Sequence, residues 1–441
     1  MKYIISLSNR IMQRYLPDPF LFVILLTLTV FGFALVLTDS TPMNIVQYWG
    51  EGFWGLLAFS MQMVLVLVTG HVLASSPFFK KGLGQLASLP STPGQAIILV
   101  TIVSLLASFI NWGFGLVIGA LFAKELARKV DGVDYRLLIA SAYSGFVIWH
   151  GGLSGSVPLT IATPGHFSEG LIGVIPTGET IFATYNLIII AALFITIPLV
   201  NRLMMPAKDQ TITVDKSLLE DGESLQAASI EASASTPSEK LENSRVLSML
   251  IGIAGVSFLV YYFTNNGFKL NLDIVNFLFL FLGILLHGTP RRFLEAVTNA
   301  VKGASGIIIQ FPFYAGLMGI MVSSGLANVI SEGFVSISNS VTFPVFVFWS
   351  AGIVNFFVPS GGGQWAVQAP IVLEAAQNLG VPVSKAAMAV AWGDAWTNLI
   401  QPFWALPALA IAGLKAKDIM GYCVILLFVT GIIISLGFLI G

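Results

Sequence analysis
Apolar positions in this chain run in long unbroken stretches rather than at the two- or 3.6-residue periods of half-buried strands and helices. Seven stretches (19–38, 50–74, 183–200, 246–264, 273–288, 303–323 and 418–440) approach or exceed the length a helix needs to cross ~30 Å of hydrocarbon. Four more (95–129, 136–165, 342–379 and 385–413) are apolar but interrupted. The interruptions are Asn111-Trp112-Gly113-Phe114-Gly115, His150 to Pro158, Pro359-Ser360-Gly361-Gly362-Gly363-Gln364, and Thr397 to Pro402. Asn, Gly and Pro end helices, so these four stretches are expected to be two helical hairpins (95–129, 342–379) and two broken helices (136–165, 385–413).

Charge decides how the segments thread. With the hairpins entering and leaving on one side and the broken helices crossing, 19 of the 21 basic residues fall on one face, leaving Lys269 and Lys385 on the other. Basic residues collect on the cytoplasmic side. The expected topology therefore has a cytoplasmic N-terminus, an external C-terminus and re-entrant hairpins. Residues 1–18 read as an amphipathic helix at the interface.

A shift of 249 residues brings Gly113 onto Gly362, Ala120 onto Ala369, Glu125 onto Glu374 and Pro158 onto Pro407. The order span, span, hairpin, broken helix, span occurs in both halves. The expected fold is an all-α polytopic membrane protein built of two inverted repeats, 19–200 and 265–441, each with a re-entrant helical hairpin and a broken transmembrane helix. A solvated, disordered cytoplasmic linker (201–245) and a connecting span (246–264) join them.

Composition closes off other classes. Hydrophobic residues make up 56% of the chain and charged residues 10%, against about 45–50% and about 25% in soluble domains. A net charge of -1 gives no field for a polyanion, and one cysteine, Cys423, makes no intramolecular disulfide. No phosphate-binding lysine motif, zinc spacing or oriented catalytic triad is present, so an enzyme is not expected.

Irregular backbone at membrane depth survives only inside protein or beside water, which makes the four breaks the candidate site. Free N–H groups at a helix start favour an anion and free carbonyls a cation. Substrate contacts are expected from Asn111, Trp112, Gly113, His150, Gly151, Ser154, Ser360, Gly361, Gly362, Gly363, Gln364, Thr397, Asn398 and Gln401. Asp394 is the one deeply placed acid, and intramembrane acids are costly and usually functional. With Thr397 and Asn398 one turn on, it binds Na⁺ or carries a proton; Asn111 and Ser360 are further coupling candidates. No cofactor is expected beyond Na⁺ or H⁺. Gln62 and Gln310 face the site or serve structure. Without buried Lys or Arg, the site suits one carboxylate better than a phosphate.

The runs Tyr15-Leu16-Pro17-Asp18-Pro19-Phe20, Asn111 to Gly115, His150 to Ser156, Pro359 to Trp365 and Trp392-Gly393-Asp394-Ala395-Trp396-Thr397-Asn398 resemble the AtoE-type short-chain fatty acid transporter family of bacteria. The family is placed in a larger ion-transporter superfamily that includes sodium-coupled dicarboxylate carriers. That resemblance implies an elevator mechanism and a homodimer. Asn111 and Ser360 stand where the dicarboxylate carriers have Ser-Asn-Thr tips, but the full triplets are missing. The expected activity is coupled uptake of acetoacetate, butyrate and similar monocarboxylates. The alternatives are a cation/proton antiporter using Asp394 and His150, an intramembrane hydrolase using Ser154 and His150, or a membrane receptor.

Overall fold
The computed structural model describes residues 19–214, 236–355 and 358–440. The expected interfacial helix 1–18 and the middle of the linker lie outside the described residues. Among the described residues the chain is helical and holds no strand. The first half contains α1 (Pro19–Leu37), α2 (Pro42–Gly52), α3 (Leu57–Ala74), α4 (Pro77–Leu86), α5 (Pro93–Ile110), α6 (Trp112–Lys129), α7 (Tyr135–Ser144), α8 (Ser156–Ile161) and α9 (Thr184–Leu203). The second contains α10 (Arg245–Asn266), α11 (Leu272–His287), α12 (Pro290–Val301), α13 (Ser305–Ser323), α14 (Leu326–Ile337), α15 (Phe343–Asn355), α16 (Gly361–Asn378), α17 (Val383–Asn398), α18 (Pro402–Ala412) and α19 (Ala416–Ile440). Seven segments among the described residues are long and apolar enough to cross a membrane.

Local chemistry sets most helix starts. Thr41, Thr92, Asn111, Asp134, Ser244, Asn271, Thr289 and Ser360 each accept a hydrogen bond from a backbone N–H of the first turn, which satisfies a donor that has no partner within the helix. Proline occupies the first turn of α2, α4, α5, α12 and α18, where its missing N–H costs nothing.

The expected breaks are present, with adjustments. Asn111 separates α5 from α6, and Leu399 to Gln401 separate α17 from α18. The first broken helix loosens earlier than the sequence suggests: α7 ends at Ser144 and a 3₁₀ segment runs from Gly145 to Gly151, so His150 lies at the end of the distorted turn rather than the start. The stretch 50–74 is also two pieces, the end of α2 and then α3. Four shorter helices, α2, α4, α12 and α14, flank α3 and α13; the apolar-run reading did not separate them.

Burial orders the bundle. The hydrophobic window within Tyr135–Ile161 is 94% buried, whereas that of Arg245–Asn266 is 22% buried. The broken helix 135–161 is therefore central and α10 peripheral. The linker does not leave the bundle at once. The Ile212 N–H donates to Asp134 Oδ2 at 2.9 Å, and the Tyr135 N–H donates to the Ile212 carbonyl at 2.8 Å. The segment after α9 is thus pinned to the start of α7.

Candidate functional site
The starts of α6 and α16 line one cavity, and their neighbours treat them differently. At the first, Asn111 Oδ1 accepts from the Phe114 N–H at 2.9 Å. The Trp112 N–H donates to Ser154 Oγ at 2.9 Å, and the Leu153 N–H to the Phe109 carbonyl at 2.7 Å. A Cβ on Gly113 would lie 2.9 Å from the Leu67 carbonyl of α3. This tip is wrapped by the 151–155 loop and by α3.

The second tip is buried as well, and is open only in that no loop side chain among the described residues caps its first N–H groups. Ser360 Oγ accepts from the Gly363 N–H at 3.4 Å, and the Ser360 carbonyl from the Gln364 N–H at 2.7 Å. The N–H groups of Gly361 and Gly362 belong to the first turn and have no partner within the helix. A Cβ on Gly361 would lie 2.5 Å from His150 Nε2, and one on Gly362 2.6 Å from Phe59 Cζ. Only glycine lets these neighbours approach so closely. Gln364 Nε2 ties the hairpin by donating to the Ala351 carbonyl at 2.8 Å and to Gln368 Oε1 at 2.7 Å.

His150 and Asp394 are buried side by side. His150 Nδ1 is 2.7 Å from the Ala391 carbonyl and 3.3 Å from Asp394 Oδ2. A carbonyl only accepts, so Nδ1 carries hydrogen. The second contact is too poorly aligned to count as a bond, and both Asp394 oxygens lack a hydrogen-bond partner, as does His150 Nε2. Trp149 stacks on the imidazole with ring centroids 3.6 Å apart. Nε2 is therefore the ring nitrogen left without a partner, and it lies against the open tip. No Lys or Arg is among the buried residues described.

The other expected site residues form the frame around this pair. Thr397 Oγ1 donates to the Gly352 carbonyl at 3.0 Å and accepts from Asn355 Nδ2 at 2.9 Å. Asn398 Oδ1 accepts from Trp149 Nε1 at 3.0 Å, and Gln401 Nε2 donates to the Asn355 carbonyl. The Gly151 carbonyl accepts from Asn186 Nδ2 at 3.0 Å, and Asn186 Oδ1 accepts from Trp392 Nε1 at 2.9 Å. Thr397 and Asn398 thus turn to different partners, and Asp394 is the acid left without one. Among the described residues no three His, Cys, Asp or Glu side chains group as metal ligands.

A cavity of about 30 Å³ lies at the open tip, lined by Trp112, Trp149, Ser156, Pro359, Ser360, Gly361, Gly362 and Trp404, and closed by Met63, Gly306, Ile307, Gln310 and Phe311. A water needs about 10–15 Å³ on the same measure, so the cavity has room for water but must widen to admit an organic acid. The sequence reading found the tip but missed the opposite wall. Met63, Ile307 and Phe311 look like ordinary span residues, and only Gln310 carried a signal.

Residues 1–440 match the family described as Short chain fatty acid transporter. The chain belongs to that family. It is therefore a multi-pass membrane protein of a transporter family. It is 49% identical over 430 residues, 97% of either chain, to a protein of Escherichia coli (strain K12) named provisionally as a short-chain fatty acid transporter. A protein of Haemophilus influenzae with the same provisional name is 47% identical over 432 residues, 96% of either chain. Among solved structures, the Alcanivorax borkumensis YdaH transporter, described as having an unusual topology, matches with a TM-score of 0.60 over 95% of this chain and 98% of that one. At 16% identity, that likeness shows the fold alone.

Proposed function
We propose that this transporter takes up short-chain monocarboxylates such as butyrate and acetoacetate together with a proton, by an elevator motion in the inner membrane. The observation that carries the reading is the open tip: two first-turn N–H groups with no acceptor among the described residues, beside a buried imidazole nitrogen without a partner. A carboxylate there would accept from Gly361 and Gly362 and, once His150 is protonated at Nε2, from the imidazole as well. Asp394, 3.3 Å from Nδ1, stabilises that protonated ring. Anion binding and proton binding then favour each other, which links the two ligands as a symporter needs.

A proton fits this donor set better than Na⁺, since the Thr397 hydroxyl and the Asn398 Oδ1 oxygen are already engaged. The helix limits support a repeat: α6 and α16 are both offset by 249 residues at start and end. In this reading the halves are inverted, the two hairpins are re-entrant, the N-terminus is cytoplasmic, the C-terminus is external and the carrier works as a homodimer.

The test is counterflow and gradient-driven uptake of labelled butyrate in proteoliposomes, with Na⁺ and pH varied separately. Uptake is expected to follow the pH gradient and ignore Na⁺. Asp394→Asn is expected to abolish gradient-driven accumulation while leaving counterflow measurable. Intact gradient-driven uptake in that variant removes the coupling role. Cation flux without organic acid removes the proposal and favours an antiporter.

A further inference from the structure
We infer that Phe59 sets the length of acid this carrier accepts, by closing the substrate cavity against a second, larger chamber. The inference rests on the carboxylate binding at the second tip. This chamber has a volume of about 270 Å³, opens at the surface beside Pro164 and Gly165, and is lined among others by Phe59, Gln62, Thr160, Thr163, His166 and Phe167. The cavity at the tip is about 30 Å³.

Phe59 stands between the two. It lines the chamber, and its ring edge lies against Gly362, which lines the cavity. The ring also packs between an aromatic from each side. Its centroid is 5.7 Å from that of Phe167, a chamber residue, and 5.7 Å from that of Phe311, a cavity residue. It is 7% exposed and carries no polar atom.

Geometry turns this partition into a length gauge. A carboxylate held by the Gly361 and Gly362 N–H groups points its alkyl chain away from the helix start. Phe59 Cζ and Met63 Cγ crowd that helix start, 2.6 Å and 3.5 Å from where a Cβ on Gly362 would lie. In this proposal the tail runs onto Phe59 within a few methylenes. Beyond the ring the chamber is roomy, and its threonines are satisfied. Thr163 Oγ1 donates to the Leu159 carbonyl at 2.7 Å, and Thr160 Oγ1 to the Ser156 carbonyl. The Gln62 amide donates to Asp273 at 2.7 Å, and both His166 ring nitrogens are bonded to backbone. An alkyl chain that passed the ring would leave no lining donor among these newly orphaned.

The test is uptake of labelled acetate, butyrate, hexanoate and octanoate by proteoliposomes containing the full chain, with ratios compared between acids. Ratios do not depend on how much of a variant folds. Phe59→Ala is expected to raise the octanoate-to-butyrate ratio about tenfold or more, the range that a few methylenes in an apolar pocket command. Phe59→Leu is expected to fall between, and Phe59→Trp to shift preference toward acetate. Phe78→Ala, which removes an exposed phenylalanine of α4, is expected to leave the profile unchanged. If the Phe59 variants keep the parent's length profile, Phe59 is not the gauge, and butyrate uptake by the parent still stands. If the parent moves none of these acids, the underlying reading fails, and this one with it.

Discussion
Gly361, Gly362 and Gly363 are three separate constraints. Their missing side chains make room for His150, Phe59 and Tyr314 respectively; a Cβ on Gly363 would lie 2.5 Å from Tyr314 Cδ2. Gly361→Ala places a methyl group against His150, and overpacking of this kind costs about 1–3 kcal/mol. It also displaces the nitrogen proposed to meet the substrate. Butyrate uptake is therefore expected to be lost with only a modest fall in thermal stability, read from an unfolding scan of the purified protein. Gly170→Ala, where a Cβ meets nothing within 4 Å, is expected to change neither. The sequence made the tip legible because three glycines between Pro359 and Gln364 contradict the apolar helix around them. It could not name what each glycine faces. His150, Phe59 and Tyr314 come from elements far away in the chain, and one sequence carries no signal for such pairings.

At the scale of elements, α6 and α16 begin alike but are finished differently. Asn111 and Ser360 cap them with the same extended backbone, at φ -155° and -159°. The difference is Ser154, which takes up the Trp112 N–H, whereas the corresponding N–H of Gly361 has no such hydroxyl. Ser154→Ala leaves a buried N–H without a partner, a loss of about 1–3 kcal/mol. The expected result is a lower unfolding temperature with KM for butyrate nearly unchanged. A large rise in KM at unchanged stability would mean that the first tip binds substrate after all. Helix limits were legible wherever a cap, a proline or a glycine coincided with the end of an apolar run, as at Thr92-Pro93 and Asn111. The early loosening at Gly145 was not, since Gly145 is a single glycine with no proline or second glycine beside it. Its cause is tertiary: a Cβ there would lie 2.6 Å from the Leu105 nitrogen of α5, so the two backbones touch.

For the whole molecule, most of the polar contacts between helices fall within two groups. Asn276 and His287 of α11 donate to the Gln62 and Val72 carbonyls of α3 at 3.1 Å and 2.8 Å, and Gln62 bonds Asp273. Those bonds pin α3 to α11 along its length. Within the other group, Trp149 binds Asn398, Asn355 binds Thr397, Asn201 of α9 binds Thr101 at 3.0 Å, and Trp396 binds the Leu427 carbonyl of α19 at 2.7 Å. This places α9 and α19 with the hairpins and broken helices, a grouping that apolar runs alone do not reveal. Between the groups the polar ties are fewer: Asn111 Nδ2 to the Val66 carbonyl at 3.5 Å, the Leu272 N–H to Thr163 Oγ1 at 3.1 Å, and Lys129 Nζ of α6 to the Gly84 carbonyl of α4, beside glycine contacts of α3 with α6. Hydrogen bonds hold one register, whereas apolar surfaces and a bond near the limit of its length can slide at small cost. An elevator would move along that seam. The test uses a background with Cys423→Ser, because Cys423 is a free buried thiol. Phe79 of α4 and Phe114 of α6 have ring centroids 4.8 Å apart across the seam. Replacing both with cysteine and bridging them with mercury is expected to stop butyrate uptake, and reduction to restore it. Bridging cysteines at 252 and 285, which join α10 to α11 within the first group, is expected to leave uptake intact. Transport that survives the first bridge would rule out movement at this seam and leave local opening of the tip as the only motion the carrier needs.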